Sequence, residues 1–539
     1  MRRRLVGPLA AALLAATPAT VVTSAHAATE EQLVARCAPG LPVVHPGCGQ
    51  TYPGAAASTG TEDLRGGDRW ATAVATAVEG FPEADVVVLV SGEDAHLVDA
   101  LTAGPLARRL AAPVLLTPQA SLPLATTDYL RGTDPEAVLV VGGAGAVSEN
   151  VLDQVRALGV ASVGRVGGDD RYATSRAVAA LQPGATHAWV ASGESDHLVD
   201  ALAAAGPAAR LAEPLVLVPA NGDAAETAAL LAAAGTTSTT VVGGTAAVGA
   251  DVAAAFPQPT RVEGADRWST ATAVAAAAVT RGVPRADVVV TSGEDAHLVD
   301  AVAAAPLGRT TLLLGSAGQG ADLVRAWLAE GEDRTTFVGA AAAALVCWGV
   351  ADCTRVASVD VDGDDVLDDV ALAGAPDAAE QQLRVRARAR DAVLTLAVQT
   401  EGAPYGRTWM GAHPVDDRAG AELVVLSQLG AHTLLNSVVT WRDGALVATA
   451  SPDGLDHWYV DSSAALNQGI TCERPGRVVI RTTDRDPADT DRLVGYGQAY
   501  ESTDGVWAPV GAQTVQALPD PLPAEYAGWH CGDLPRFGL

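Results

Sequence analysis

The chain has 539 residues and a net charge of −28 at pH 7, with 49% apolar but only 4% aromatic residues. This length suits three or four domains of roughly 150 residues each. A negative field of this size argues against nucleic acid and anionic membrane surfaces as partners. All basic residues are arginine, because the sequence contains no lysine, and with the high alanine content this indicates a GC-rich, actinobacterial genome.

The N-terminus has the features of a secretory signal peptide. Basic residues 2–4 precede an apolar run, and Ala25-His26-Ala27 provides a small-residue cleavage site. Cleavage after Ala27 removes three Arg and no acidic residue, which changes the net charge from −28 to −31. The apolar run is too short to span a bilayer, and no later segment is free of charge for long enough. We therefore predict an exported protein without a membrane span in its mature form.

Six cysteines in an exported chain indicate disulfide bonds. Proximity along the chain suggests three local pairs, which are Cys37–Cys48 in an N-terminal segment over residues 28–60, Cys347–Cys353 and Cys472–Cys531. Six cysteines allow 15 connectivities, so other pairings remain open. A zinc site is a further alternative, although the sequence lacks the CxxC spacing that such sites favour.

The central part of the chain contains three copies of one block, about 100 residues apart. Each copy opens with an Asp-Arg-aromatic motif, in the forms Asp68-Arg69-Trp70-Ala71-Thr72, Asp170-Arg171-Tyr172-Ala173-Thr174 and Asp266-Arg267-Trp268-Ser269-Thr270. A Ser-Gly-Glu motif follows, in the forms Ser91-Gly-Glu-Asp-Ala-His96-Leu-Val-Asp99, Ser192-Gly-Glu-Ser-Asp-His197-Leu-Val-Asp200 and Ser292-Gly-Glu-Asp-Ala-His297-Leu-Val-Asp300. This period is too long for a solenoid unit, so each copy should form a small domain.

Strands and helices are predicted to alternate in each copy. A helix should begin at the Asp-Arg motif, with Ala71, Val74, Ala75 and Val78 on its apolar face. Apolar runs predict buried strands at 86–90, 113–117, 138–141, 188–191, 214–218, 240–242, 288–290 and 311–314. The alternation indicates an α/β fold with mostly parallel sheets.

These motifs, with the Val-Gly-Gly turn at Val141-Gly142-Gly143, resemble the cell wall binding repeat type 2 family. The resemblance covers about residues 61–349, as repeats over 61–159, 160–255 and 256–349. It implies three tandem parallel-sheet modules in a pseudo-threefold arrangement within one monomer. It also implies noncovalent binding to a teichoic-acid-like or other anionic secondary wall polymer outside the cell. His-Leu-Val stands where the family usually has Asn-aromatic-Pro, so a different ligand is expected if this segment contacts the polymer.

The Ser-Gly-Glu motif supplies the first candidate ligand-binding residues. Its Glu, His and Asp recur at a spacing that predicts one shared helix face. Capping of the helix start explains Ser and Glu. A second hypothesis gathers the three His near the pseudo-threefold axis, where they bind an anion when protonated or a metal when neutral. The candidates are Glu93, Glu194, Glu294, His96, His197 and His297.

The arginines of the Asp-Arg motif, Arg69, Arg171 and Arg267, are the second set of candidates. The structural interpretation is an ion pair with the preceding Asp, which fixes the helix start. The alternative is that the guanidinium groups bind phosphate or carboxylate groups of the polymer.

An acidic loop opens a C-terminal domain over residues 350–539. Carboxylates alternate along it as in a Ca²⁺-binding loop, with a main-chain carbonyl between them, and the ligands would be Asp360, Asp362, Asp364, Val366 and Asp368. It is not an EF-hand, because the glycine position and the final glutamate of that motif are missing. It resembles the loops of FG-GAP or VCBS-type β-repeats. A second acidic segment, around Asp416 and Glu422, looks like a degenerate copy.

The rest of this domain has the short alternating segments of a mainly β fold, at 370–372, 383–387, 393–398, 423–426, 438–441 and 477–482. We predict a non-enzymatic wall-binding protein with a β domain of unknown target. The alternative is a wall hydrolase, an amidase or a glycosidase, with its catalytic site in residues 355–539. That region contains His413, His432, His457 and His530 but neither HExxH nor Gly-x-Ser-x-Gly.

Overall fold

The computed structural model describes residues 60–535, apart from 316–319, 332–333, 349, 351, 376–377, 391, 401–407 and 464–465. The chain forms two compact units, with the boundary between Ala342 and Ala343. The predicted signal peptide and the predicted Cys37–Cys48 pair lie outside the described residues. Within the described part, no helix combines the length and the apolar composition needed to cross a membrane.

The first unit alternates strands and helices, as the hydrophobic pattern predicted. Its strands are β1 (Gly60–Leu64), β2 (Val86–Ser91), β3 (Val114–Thr117), β4 (Ala137–Val141), β5 (Ser162–Val166), β6 (His187–Ser192), β7 (Leu215–Val218), β8 (Ser238–Val242), β9 (Pro259–Val262), β10 (Asp287–Ser292), β11 (Thr310–Leu314) and β12 (Arg334–Val338). Its helices are α1 (Arg69–Gly80), α2 (Leu97–Ala100), α3 (Ala103–Arg109), α4 (Leu124–Thr133), α5 (Glu149–Ala157), α6 (Arg171–Ala180), α7 (Leu198–Leu211), α8 (Ala225–Ala233), α9 (Ala250–Ala254), α10 (Arg267–Thr280), α11 (Val299–Ala304), α12 (Ala321–Leu328) and α13 (Ala340–Ala343).

These strands form three parallel four-stranded sheets, which confirms the predicted α/β modules. The strand orders are β3-β2-β4-β5, β7-β6-β8-β9 and β11-β10-β12-β1. Each sheet thus takes its last strand from the segment that precedes the next Asp-Arg motif. For the third sheet that strand is the N-terminal β1, with Glu62 opposite Thr336. The three modules therefore close into a ring, and their limits differ from the repeats predicted at 61–159, 160–255 and 256–349.

The sheets are buried because helices cover both faces, as parallel sheets require. All six residues of β2 are buried, for example. The alanine-rich helices α3, α7 and α11 meet in one hydrophobic core that extends through all three modules. A Cβ atom on Gly104 would lie 2.5 Å from the Cβ atom of Ala305, so glycine permits the close approach of these segments.

Helix α1 lies where it was predicted, but it buries a different face. Its buried residues are Thr72, Ala73, Thr76 and Ala77, whereas Val78 is 54% exposed. The threonines are buried without loss of hydrogen bonds. The Thr72 hydroxyl accepts from the Gly66 N–H at 3.0 Å, and the Thr76 hydroxyl donates to the Thr72 carbonyl at 2.9 Å. Because both hydroxyl groups form hydrogen bonds, their burial does not carry the desolvation cost that a hydropathy scale assigns to polar residues.

A buried ion-pair network joins β1 to the third module. Arg334 Nε donates to Glu62 Oε1 at 2.9 Å, and Arg334 also pairs with Glu79 of α1. Arg309 Nε lies 3.0 Å from Asp287 Oδ1. The Arg309 and Arg334 side chains are only 5% and 8% exposed. The ring is therefore closed by charges as well as by strand pairing.

The second unit is built from strands, as predicted. They are β13 (Cys353–Val359), β14 (Asp368–Ala373), β15 (Glu380–Ala387), β16 (Ala392–Gln399), β17 (Trp409–His413), β18 (Glu422–Leu429), β19 (Thr433–Arg442), β20 (Ala445–Thr449), β21 (Trp458–Ser462), β22 (Asn467–Arg474), β23 (Arg477–Asp486), β24 (Asp489–Thr503), β25 (Val506–Ala517) and β26 (Gly528–His530). Strands β13 to β16 form one antiparallel sheet, and the others form a ten-stranded sheet in which only the pairing of β26 with β22 is parallel.

The two sheets of this unit share a core, in which Val370 and Leu383 of the smaller sheet cluster with Leu423 and Val425 of the larger one. Disulfide bonds join Cys347 to Cys353 and Cys472 to Cys531, and these are two of the predicted pairs. The resemblance to FG-GAP or VCBS-type repeats stays a prediction.

Candidate functional site

The repeated motifs lie at the carboxyl ends of the sheet strands. In the first module the central strands β2 and β4 are neighbours, and the chain leaves them toward opposite edges, to β3 and to β5. Ligands of open α/β sheets bind in the crevice at such a switch point. The Ser-Gly-Glu motif follows β2, β6 and β10, and a glycine turn follows β4, β8 and β12. Both motifs therefore border the crevice of each module.

The Asp of the Asp-Arg motif caps a helix and does not pair with the adjacent Arg, so the predicted ion pair is wrong. Asp68 accepts a hydrogen bond from the Ala71 N–H at 2.8 Å, and Asp170 and Asp266 cap α6 and α10 in the same way. The Arg instead reaches the Ser-Gly-Glu motif of its own repeat. The Nη1–O distances are 2.6 Å for Arg69–Gly92, 2.7 Å for Arg171–Gly193 and 2.8 Å for Arg267–Gly293.

The aromatic residue of the first motif packs against the glycine of the second. A Cβ atom on Gly92 would lie 2.4 Å from the Trp70 ring, and one on Gly193 would lie 2.7 Å from the Tyr172 ring. Only glycine fits under the aromatic ring without displacing it. The two motifs that recur in the sequence are thus one packed unit in space.

The Ser-Gly-Glu motif is a loop and not a helix start, so Glu, His and Asp do not share a helix face. Glu93 precedes a short 3₁₀ turn over Asp94–His96, and α2 begins only after it. The predicted capping by Glu93 is also wrong, because its Oε1 accepts from the Gln119 N–H at 3.2 Å. Glu194 likewise accepts from the Tyr172 hydroxyl at 2.8 Å.

In that loop the Ser hydroxyl accepts from the N–H of the Glu two residues on. This hydrogen bond is 3.1 Å long from Ser292 to Glu294, and it shapes the loop.

Each Arg of the first motif lies at a junction between two repeats, near the Asp that ends the Ser-Gly-Glu motif of the preceding repeat. Burial raises the pKa of these carboxyl groups, that of Asp200 to about 6, and the neighbouring Arg opposes the shift. The Arg–Asp neighbours are Arg171 and Asp99, Arg267 and Asp200, and Arg69 and Asp300. The junction between the third and first repeats has a direct contact too, because Arg69 Nη2 lies 3.5 Å from the Ala296 carbonyl.

The same Asp side chains hold the glycine turns. Gly339 has a φ of +58°, and a Cβ atom there would lie 2.0 Å from Asp300 Oδ2. Asp300 accepts from the Ala340 N–H at 2.9 Å. A Cβ atom on Gly243 would lie 2.4 Å from Asp200 Oδ2, and one on Gly142 would lie 3.4 Å from Asp99 Oδ2, an ordinary contact. In each module the Asp of one loop therefore lies against the glycine turn of the other, and Asp200 and Asp300 are buried there.

The histidines are distributed over the junctions, and the predicted metal-binding cluster at the axis is wrong. His96 and His197 are half-buried, and His297 is exposed. Among the described residues, the only group of three acidic, His or Cys side chains with metal-ligand spacing consists of Asp360, Asp362 and Asp368. Each His instead lies near the Asp that ends its own motif, His96 near Asp99, His197 near Asp200 and His297 near Asp300.

The second repeat differs from the others in the charge balance of its Arg. Arg69 pairs with Asp94 at 2.7 Å and Arg267 with Asp295 at 2.5 Å. Ser195 stands at the equivalent position of the second repeat. In the described part of the chain, Arg171 forms no ion pair. It is therefore the motif arginine with the most capacity left for an anionic ligand.

Two arginines that the sequence motifs contain, but to which no role was assigned, also shape the crevices. Arg165 donates to the carbonyls of Gly142 and Val147, both at 2.7 Å, and so holds the glycine turn of the preceding module. Arg261 holds the next turn in the same way. At the ring closure, Asp63 occupies this register position. The signal in the sequence was an Arg five residues before the Asp of the Asp-Arg motif in the second and third repeats.

The acidic loop of the second unit brings together three of the predicted ligands. Oxygen atoms of Asp360, Asp362 and Asp368 lie within 4.8 Å of one another. Asp364 is not in this group, and its Oδ1 accepts from the Val366 N–H at 2.9 Å. Burial, and to a smaller extent the nearby carboxylates, raise the pKa of Asp368 to about 6.

Asp362 provides the test of whether these residues suit a cation. Its side chain is 1% exposed, and its Oδ2 pairs with Arg390 Nε at 2.7 Å. Its Oδ1 is buried without a hydrogen-bond partner. An orphaned carboxylate oxygen next to two other carboxylates fits a hard cation.

The second acidic segment is structural. Asp416 pairs with Arg442. Although burial acts in the opposite sense, hydrogen bonds from the Ser502 hydroxyl and the N–H groups of Gly505 and Asp504 lower the pKa of Asp417 to about 2. These carboxylates tie the segment to the β24–β25 hairpin and leave no set of free oxygens for a metal.

Comparison with known proteins gives a family for two of the modules. Residues 64–152 and 165–253 match the family Cell wall binding domain 2 (CWB2). N-acetylmuramoyl-L-alanine amidase LytC of Bacillus subtilis (strain 168) is 31% identical over 219 residues, 41% of this chain and 43% of that protein. Amidase enhancer of the same organism is 31% identical over 157 residues, 29% of this chain and 21% of that protein. The chain spans less than half the length of either relative.

Solved structures of similar proteins include Cwp6 and Cwp8 from Clostridium difficile. Cwp6 has a TM-score of 0.47 and 24% identity, and the match covers 53% of this chain and 46% of that one. Cwp8 has a TM-score of 0.46 and 27% identity, with 52% and 49% covered.

Proposed function

We propose that this chain is an exported, cell-wall-associated protein that binds an anionic wall polymer noncovalently, because residues 64–152 and 165–253 match the family Cell wall binding domain 2. The observation that carries the proposal is the crevice at each junction between repeats, where an Arg and a His lie near an Asp that is half-buried in the first repeat and buried in the other two. Three such crevices in one ring provide three similar subsites for a repeating ligand.

Local charge resolves the conflict between an anionic ligand and a chain of net charge −28. A bound ligand interacts mainly with the charged groups that line the crevice. Protein charges farther from the ligand than a Debye length, about 8 Å at physiological ionic strength, are screened by salt. Arg171 forms no ion pair among the described residues, so part of its hydrogen-bonding capacity is left for a ligand in its crevice. Bidentate hydrogen bonds from guanidinium to phosphate or carboxylate are among the strongest in proteins.

We predict that Arg171→Gln lowers the affinity of the full chain for purified native cell walls by about tenfold or more, since a hydrogen bond to a charged group contributes about 1.5–3 kcal/mol. Its melting temperature should fall only slightly, because Arg171 forms no ion pair among the described residues and the substitution removes one hydrogen bond, that to the Gly193 carbonyl. The measurement is sedimentation of the protein with walls over a range of concentrations, at two salt concentrations, together with a melting curve. Competition by purified wall polymer identifies the ligand.

The matched control is Arg176→Gln, on the same helix α6. Arg176 pairs with Glu226 at 2.9 Å, and nothing in the structure connects this pair with the junction. Both variants lose one positive charge, so equal losses of wall binding would point to net charge and contradict the proposed role of Arg171.

The wall-hydrolase alternative, an amidase or a glycosidase in residues 355–539, has support from one relative, which is by name an N-acetylmuramoyl-L-alanine amidase. It predicts that the full chain releases soluble fragments from purified walls. Release of new amino groups would indicate an amidase, and release of new reducing ends would indicate a glycosidase.

We further propose that the acidic loop of the second unit binds Ca²⁺ through Asp360, Asp362 and Asp368, with Asp364 and the Val366 carbonyl as the remaining ligands predicted from sequence. The orphaned Asp362 oxygen supports this proposal. The pair between Asp362 and Arg390 provides the counter-charge of the loop when no cation is bound.

We predict that Ca²⁺ raises the melting temperature of the second unit. A ligand at a hundred times its Kd adds about 2.7 kcal/mol to the stability of the protein that binds it. The measurement is differential scanning calorimetry of the full chain with Ca²⁺ or with EDTA. Asp362→Asn should abolish the shift, whereas the control Asp365→Asn, at an exposed position of the same loop, should retain it. Loss of the shift in both variants would argue against the assigned ligands.

A further inference from the structure

The three junctions share one architecture, but their loops differ at the two positions that follow the Glu of the Ser-Gly-Glu motif. The first and third loops continue as Asp94-Ala95-His96 and Asp295-Ala296-His297, whereas the second continues as Ser195-Asp196-His197. The acidic residue is thus shifted by one position in the second loop, and the formal charge of the three loops is the same. Both positions are exposed in every loop, so packing does not determine which of them carries the acid.

In the first and third repeats the acidic residue binds the motif arginine. Arg69 Nη1 donates to the Gly92 carbonyl at 2.6 Å and to Asp94 Oδ1 at 2.7 Å. The motif arginine of the third repeat makes the same two contacts, to Gly293 at 2.8 Å and to Asp295 at 2.5 Å. Because Nη1 carries two hydrogens, both of its donors are used within the loop.

In the second repeat the acidic residue has a different neighbour. Arg171 Nη1 donates to the Gly193 carbonyl at 2.7 Å, as in the other repeats, but Ser195 provides no carboxylate for its second hydrogen. Asp196 lies 3.7 Å from His197 Nε2 instead. In the part of the chain that the structure describes, the shift of the acid by one residue leaves this guanidinium group without an ion pair.

An anionic ligand at the first or third junction would meet the carboxylate that already contacts the arginine. Like charges within about 4–6 Å of each other disfavour each other's ionised form. The side chains of Asp94 and Asp295 are 62% and 81% exposed, and exposed ion pairs contribute little to stability. Each carboxylate can therefore move at little cost to the fold, but its place on the loop keeps its charge beside the arginine, where it opposes an anion.

We propose that the position directly after the motif Glu decides whether a junction accepts an anionic group, and that only the junction of Arg171 does so. The ring then binds one phosphate or carboxylate group of the wall polymer there, while the junctions with Asp94 and Asp295 contact uncharged parts of the polymer. This inference rests on the wall binding proposed above. It assigns Ser195, an uncharged residue, as a determinant of ligand specificity.

The test exchanges the two positions within one loop, which keeps the net charge of the full chain constant. Ser195→Asp/Asp196→Ala gives the second loop the sequence of the other two. Its affinity for purified native cell walls, measured by sedimentation, should fall about tenfold or more, the effect of losing a hydrogen bond to a charged group. The reverse exchange, Asp94→Ser/Ala95→Asp, should raise the affinity about threefold or more, because it frees a second guanidinium group. Melting temperatures should stay nearly unchanged, since all four positions are exposed.

Two further variants separate the effect on Arg171 from other effects of the exchange. Asp196→Ala alone removes the acid of the second loop without placing one beside Arg171, so it should bind walls at least as tightly as the unchanged chain. Arg171→Gln should weaken binding in the unchanged chain but add little to the loss in Ser195→Asp/Asp196→Ala, because both changes remove the same interaction.

The outcomes distinguish this inference from the proposed wall binding. If the unchanged chain sediments with walls and Ser195→Asp/Asp196→Ala binds them equally well, the inference is overturned and wall binding stands. Equal losses in Asp196→Ala and in the exchanged protein would also overturn it, as would a reverse exchange without a gain in affinity. If the unchanged chain does not sediment with walls, both proposals fail.

Discussion

Replacing Glu62 with alanine is expected to lower the free energy of unfolding of the first unit by about 3–5 kcal/mol, the cost of breaking a buried ion pair. Glu62 holds Arg334 at 2.9 Å and the Thr336 hydroxyl at 2.8 Å, and it lies 3.7 Å from Arg309. Its loss leaves two buried guanidinium groups to share Glu79 and Asp287. Because Glu62 lies on β1, the ring should open at the seam between β1 and β12.

Urea unfolding of the full chain, followed by circular dichroism, measures this change. The control is Asp153→Asn, which removes the exposed i, i+3 pair between Asp153 and Arg156 and should cost less than about 1 kcal/mol. Limited proteolysis near β1 gives a second readout. If Glu62→Ala and Asp153→Asn destabilise the chain equally, the seam is not stabilised by its charges.

Replacing Gly66 with alanine is the second change for which we expect a large effect, about 3 kcal/mol of lost stability or more. A Cβ atom at Gly66 would lie 2.3 Å from the Cβ atom of Ala71 and 2.4 Å from its carbonyl carbon. The main chain at the start of α1 must then move. That shift breaks the 3.0 Å hydrogen bond from the Gly66 N–H to Thr72 and displaces Arg69 from the junction.

The adjacent Gly67→Ala is a matched control, because a Cβ atom there would meet nothing within 4 Å. It should change the stability by no more than about 0.5 kcal/mol. Both variants are compared by melting temperature and by sedimentation with walls. A Gly66→Ala protein as stable as the Gly67→Ala protein would show that the helix start adapts, and that no steric contact requires glycine two residues before Asp68.

The predictions for Glu62 and Gly66 both concern the junction between the third and first repeats. Gly66 sets the geometry at the start of α1, and Arg69 on that helix meets Asp300 and Ala296 of the third repeat. The charges around Glu62 then hold β1, the strand that leads into this helix. The junction between the third and first repeats thus depends on ring closure, whereas the junction that contains Arg171 and Asp99 is formed between repeats that follow each other in sequence.

Sequence by itself determined the repeats, the alternation of strands and helices and the mainly β second unit, and it suggested two disulfide pairs that the structure contains. The first three features have local signals, such as the hydrophobic run 86–90 and the Asp residues at helix starts. The motif residues were also recognisable from sequence. Their contacts were not, because Arg69 and Ala296 are separated by 227 residues.

Only the tertiary structure decided which groups meet. Parallel strands pair with partners far apart in sequence, so nothing local showed that β1 completes the third sheet. Burial of Thr72 and Thr76 depended on hydrogen bonds that a hydropathy pattern does not contain. The same holds for the histidines, which were expected together at one axis and lie at three junctions. The identity and spacing of residues along the chain specify which side chains are available for a site. Non-local strand pairing brings those side chains together, and the crevices between the repeats depend on that pairing.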